Sequence, residues 1–62
     1  VVKKEVIIES IRHGAYIKVI AIDPQTGIEA TIVGDPAVGT ETLNNLAIQK
    51  LEYVLSKRQS KT

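Results

Sequence analysis

Sixty-two residues carry eight basic and seven acidic side chains, a hydrophobic fraction of 44%, an aromatic fraction of 3%, and no Cys, Met, Trp or Phe. Without cysteine there is no disulfide framework, and a single His leaves too few soft ligands for a structural zinc. No apolar run approaches the roughly 18 residues of a membrane span, and no cationic, apolar, small-residue order marks a signal peptide, so a cytoplasmic setting without membrane partners is expected.

The chain opens on Val1 rather than an initiator Met, which suggests that residues preceding it have been removed. A domain of this size buries only about 60% of the surface its unfolded form exposes. With disulfide and metal unavailable, oligomerisation is the remaining staple. Charge is uneven along the chain. Lys57, Arg58 and Lys61 lie in the last six residues, and residues 1–56 hold five basic against seven acidic groups, 5 − 7 = −2.

Fourteen of the sixteen Val and Ile precede residue 40, while Leu43, Leu46, Leu51 and Leu55 all follow it. β-Branched side chains suit a pleated surface, and Leu keeps its rotamers on a helix. The expected class is therefore α+β: one domain over residues 1–62, with a three-stranded antiparallel β-meander over about 3–34. One C-terminal α-helix follows over about 41–57, and then a basic tail over 57–62.

The strands are expected at residues 3–12, 15–23 and 28–34. His13-Gly14 suits a two-residue hairpin loop. With Arg12 facing Ala15, Ile8 faces Val19 and Ile7 faces Ile20, and two opposite-charge pairs form, Glu9 with Lys18 and Lys4 with Asp23. Asp23-Pro24-Gln25-Thr26-Gly27 is the second turn, with Pro where φ near −65° is wanted and Gly where φ is positive. Pairing Asp23 with Ile28 sets Ala21 against Ala30, Val19 against Ile32, Ile22 against Glu29 and Ile20 against Thr31.

These registers put Val6, Ile8, Ile17, Val19, Ala21, Ala30 and Ile32 on one sheet face as the core side. The helix would lay Leu43, Leu46, Ala47, Leu51, Val54 and Leu55 on it as one apolar stripe. Thr40 is the expected N-cap, Glu41 complements the positive helix end, and Lys57 and Arg58 complement the negative end.

The other sheet face collects Ile7, Ile11, Tyr16, Ile20, Ile22, Thr31 and Val33, edged by Glu5, Glu9, Lys18 and Glu29. A sheet with one helix on it ordinarily alternates apolar inside with polar outside. Isolated isoleucines on a sheet need no partner, but a contiguous apolar patch marks an interaction site. Ile7, Ile11, Tyr16, Ile20, Ile22 and Val33 are therefore the candidate interface. Glu5, Glu9, Lys18 and Glu29 form its polar rim. A second copy is the simplest cover, a different protein is the other, and pairing through an edge strand would give the same stoichiometry as face packing.

Other motifs read as structural. Gly34 to Thr40 has a faint phosphate-loop spacing, but it lacks the essential Lys and carries Asp35 and Pro36. His13 reads as a turn residue. Ser10, Ser56 and Ser60 have no base to activate them, and no acid/base pair emerges, so neither enzymatic activity nor a cofactor is expected. Weak nucleic-acid binding through the basic tail with Lys50 is the alternative function. Tyr16 and Tyr53 are too scattered for a base-stacking platform.

The stretch Tyr16 to Glu29, with its Asp23-Pro24-Gln25-Thr26-Gly27-Ile28-Glu29 turn, and the helix segment Ala47 to Leu55, with Lys50-Leu51-Glu52-Tyr53-Val54-Leu55, resemble a family of small uncharacterised bacterial proteins. That family is about this long and mainly alphaproteobacterial. The resemblance covers most of the chain and implies a bacterial cytoplasmic setting. It transfers no functional residue.

Overall fold

The computed structural model describes residues 5–59. Three strands come first, β1 (Ile7–His13), β2 (Tyr16–Ile22) and β3 (Glu29–Gly34). A single 3-10 turn, Pro36–Val38, leads into one helix, α1 (Thr40–Gln59). The sheet is antiparallel with order β1-β2-β3, and α1 packs against β2 and β3 on one face. The expected βββα architecture is the observed one, with β1 beginning at Ile7 and α1 running two residues beyond 57.

The second hairpin has the expected register, Ala21 opposite Ala30 and Val19 opposite Ile32. Its turn is held by the Asp23 side chain, which is almost wholly buried. Asp23 Oδ1 accepts from the Gln25 amide at 3.2 Å, and Oδ2 accepts from the Thr26 hydroxyl at 3.0 Å. Thr26 Oγ1 in turn accepts from the Ile28 amide at 3.2 Å. Gly27, with φ 77°, supplies the left-handed residue that lets its own amide reach the Asp23 carbonyl at 2.7 Å.

The first hairpin differs from its expected register by two residues. The loop is Gly14-Ala15, closed by His13 opposite Tyr16, not His13-Gly14 closed by Arg12 and Ala15. A loop beginning at His13 would be of type I′ and would need positive φ on a histidine. The observed loop needs it only at Gly14, at 57°, in the φ pattern of a type II′ turn. Arg12 Nε then donates to the Gly14 carbonyl at 2.9 Å.

Glu9 consequently faces Ile20, and Lys18 faces Ile11, so the expected Glu9–Lys18 opposition is replaced by a diagonal one. Ile8 faces Ala21 and Ile7 faces Ile22. Lys4, the other expected charge partner, lies outside the described residues. Because side chains alternate with period two, a slip of two changes every neighbour and no face.

The core comprises Val19, Ala21, Ala30, Leu43, Ala47, Leu51 and Leu55, with Val6, Ile8, Ile17, Ile28, Ile32 and Ile48 packed around it. The sheet side of this set is the expected one. On the helix, the buried residues follow an i, i+4 series from Leu43 to Leu55, and Leu46 is 46% exposed. The stripe is turned toward Ile48, because α1 lies over β2 and β3 and the Leu46 side of the helix faces away from them.

The helix also starts one residue earlier than expected. The Leu43 amide donates to the Gly39 carbonyl at 3.2 Å, so Gly39 holds the capping position and Thr40 is the first helical residue. In the preceding turn, Asp35 Oδ1 accepts from the Ala37 amide at 2.9 Å. The loop from Gly34 to Gly39 thus serves its own backbone.

Candidate functional site: the open sheet face

The face opposite α1 is built in rows across the three strands. One row is Ile7, Ile22 and Glu29; the next is Glu9, Ile20 and Thr31; the third is Ile11, Lys18 and Val33; His13 and Tyr16 close the hairpin end. All six residues expected to form an interface lie on this one face. Exposure grades across it. Ile7, Ile11, Tyr16 and Val33 are 42–61% exposed, while Ile20 and Ile22 on the central strand are half-buried by their neighbours.

The charges sit less uniformly than a rim would. Glu29 marks one corner, Glu9 the outer side of β1, and Glu5 precedes the first strand. Lys18 stands in the middle of the face on β2, half-buried between Ile11 and Val33. A lysine there covers apolar neighbours with its stem while its ammonium stays in water. Among the described residues of these rows Lys18 is the one Lys or Arg, and Glu9 lies one row away from it on β1.

His13 belongs to the same surface. Its ring stacks on Tyr16 with centroids 5.3 Å apart and planes 24° apart. The stack follows from the loop at Gly14-Ala15, which makes these two residues a cross-strand pair. Sequence reasoning that placed His13 within the loop could not find it. The signal was parity: His13 shares odd numbering with Ile7, Glu9 and Ile11.

Lys50 was expected among the basic groups of the helix and tail, yet its Nζ donates to the Thr31 carbonyl at 2.8 Å. Lys57 Nζ lies 5.7 Å from the Tyr53 ring centroid, a cation-π arrangement on the exposed side of α1. Lys61 lies outside the described residues. Among the described residues no cluster of three or more His, Asp or Glu could hold a metal ion. None of their helices is long and apolar enough to cross a membrane.

A three-stranded meander with one helix on one face, an apolar face opposite and a buried Asp at the second turn define a small α+β domain. The chain belongs to the family described as Domain of unknown function (DUF6898), which it matches over residues 3–59. No curated protein and no solved structure matches it.

Proposed function

We propose that this chain is a non-catalytic protein-interaction module that pairs with a second copy of itself through the open sheet face, in a bacterial cytoplasm. The observation that carries this reading is the contrast between the two faces. One is covered by α1, and the other leaves Ile7, Ile11, Tyr16 and Val33 in water beside Ile20 and Ile22. Apolar groups gathered in this way mark contact sites, and the core, seven buried residues among those described, stands to gain from the added burial.

A second copy is the favoured occupant because the face carries both signs of charge. Glu9 of each copy can meet Lys18 of the other across a two-fold axis, which supplies partners for the charges a face-to-face contact would cover. The nucleic-acid reading draws less support, with Lys50 drawn to the Thr31 carbonyl and Lys57 to the Tyr53 ring.

The test is light-scattering mass over a hundredfold range of concentration, for the unaltered chain and for Val33→Glu. Val33 is 61% exposed, so the substitution leaves the core intact. The expected result is a self-associated species that Val33→Glu weakens while helical circular dichroism is retained. A monomer at every concentration would reject the proposal. Retention of DNA lost on raising salt and on deleting residues 57–62 would favour the tail instead.

A further inference from the structure

The two borders of the sheet are unlike. Along an antiparallel ladder, alternate residues of an edge strand turn their N–H and C=O toward the neighbouring strand and away from it. The two-residue loop makes His13 and Tyr16 the closing hydrogen-bonded pair. Ile7, Glu9, Ile11 and His13 therefore bond to β2, and Ile8, Ser10 and Arg12 turn their backbone outward.

At the far border, the Asp23 amide donates to the Ile28 carbonyl at 2.9 Å, and the register carries that pattern along β3. Glu29, Thr31 and Val33 are the outward residues there. Lys50 reaches from α1 to the Thr31 carbonyl at 2.8 Å and lays a cation on this border, a device that discourages strand addition.

Among the described residues no side chain from another element guards β1 in this way. Among the described residues, no backbone hydrogen bond outside the ladder reaches Ile8, Ser10 or Arg12, and Ser10 and Arg12 are exposed. The Arg12 guanidinium is turned to the hairpin tip, at the Gly14 carbonyl.

We infer that β1 pairs antiparallel with β1 of a second copy about a two-fold axis at Ser10. The product is a six-stranded sheet with both helices on one side. Register selects this axis. The outward residues are even-numbered, which lets a two-fold axis sit at any residue of β1, and the registers that pair about five or more of its seven residues centre on Glu9, Ser10 or Ile11. Centring on Glu9 sets two like charges directly opposite each other, which is unfavourable. Centring on Ile11 runs off the strand and sets Ile8 against Gly14 in the loop.

Centring on Ser10 uses all seven residues of β1. It pairs Ser10 with its copy, Ile8 with Arg12, Glu9 with Ile11 and Ile7 with His13, and no like charges oppose. A second copy is the occupant this register favours, because it opposes no like charges and uses the whole strand.

This contact uses a different surface from the open face and goes beyond that reading. Alone it gives a dimer. With an open-face contact whose two-fold axis crosses this one at a right angle, it closes a four-copy assembly of two stacked sheets.

Ser10→Pro tests it, because proline there removes only an outward N–H and suits an edge strand. The expected result is a twofold fall in light-scattering mass with helical circular dichroism retained. In the unaltered chain, amide exchange at Ser10 and Arg12 should slow about tenfold or more from dilute to concentrated solution. That second measurement decides the matter even if Ser10→Pro fails to fold. Exchange at Ser10 independent of concentration, or an unchanged mass for a folded Ser10→Pro chain, overturns the inference. The open-face proposal fails separately, when Val33→Glu keeps the unaltered mass while Ser10→Pro lowers it.

Discussion

Leu43 of α1 packs so closely over Gly34 of β3 that a Cβ on the glycine would lie 2.5 Å from Leu43 Cδ2. The contact joins the end of the sheet to the first turn of the helix across the connecting loop. A side chain at Gly34 would force the buried Leu43 side chain to shift.

Gly34→Ala should therefore lower stability by about 1 kcal/mol. Overpacking costs about 1–3 kcal/mol, and relief of glycine's extra backbone entropy returns about 0.5–1. Gly34→Val should cost more. Combining Gly34→Ala with Leu43→Ala should cost at least about 0.5 kcal/mol less than the sum of the single changes, because the new methyl enters the space the leucine leaves. Urea unfolding of the four species measures it, and strict additivity would show that the two residues do not share that space.

Asp23→Ala should lower stability by about 2 kcal/mol, the scale of lost hydrogen bonds to a buried carboxylate. Thr26→Val, which breaks the link between Asp23 Oδ2 and the Ile28 amide, should cost about 1 kcal/mol. Equal stability of all three chains in urea would mean that the backbone bonds hold the turn unaided.

Gly27→Ala should cost about 1–2 kcal/mol purely through its backbone, since φ is 77° and no atom beyond its chain neighbours lies within 4 Å of the added Cβ. Gly27→Asn should cost less, because asparagine visits the left-handed region more readily. Thermal midpoints in the order glycine, asparagine, alanine, from high to low, are the expected readout.

Leu46→Ala and Leu51→Ala separate the observed helix phase from one that buries both leucines. The first should change stability by less than about 0.5 kcal/mol, as at an exposed site. Leu51→Ala should cost about 2–5 kcal/mol, because Leu51 is fully buried. Comparable losses at the two positions would put Leu46 in the core.

The second hairpin was legible residue by residue because Asp, Pro, Thr and Gly each have one role in its turn, and together they allow one register. The first hairpin had only Gly14 as its signal, and a single glycine fits either position of a two-residue loop. What distinguished them was the φ required of its neighbour, a cost on His13 that charge pairing could not outweigh. Both sheet faces were nevertheless legible, since they depend on parity alone. The helix stripe was read from spacing, which gives the apolar arc but not which end of it meets the sheet. Leu46 and Ile48 bracket that arc, and the position of α1 over β2 and β3 decided between them. Lys50 was invisible for another reason: its partner is a backbone carbonyl, and carbonyls carry no sequence signature.

The Lys50 contact with Thr31 has a consequence for how many copies one sheet can hold. A sheet with two bare borders can add chains at both ends without limit, which is the geometry of a fibre. Here one border carries an ammonium from the chain's own helix, which disfavours a further strand on that side. Under the proposed β1 pairing, Lys50→Ala would leave the β3 border as open to strand addition as the β1 border, and chains could then add at both ends.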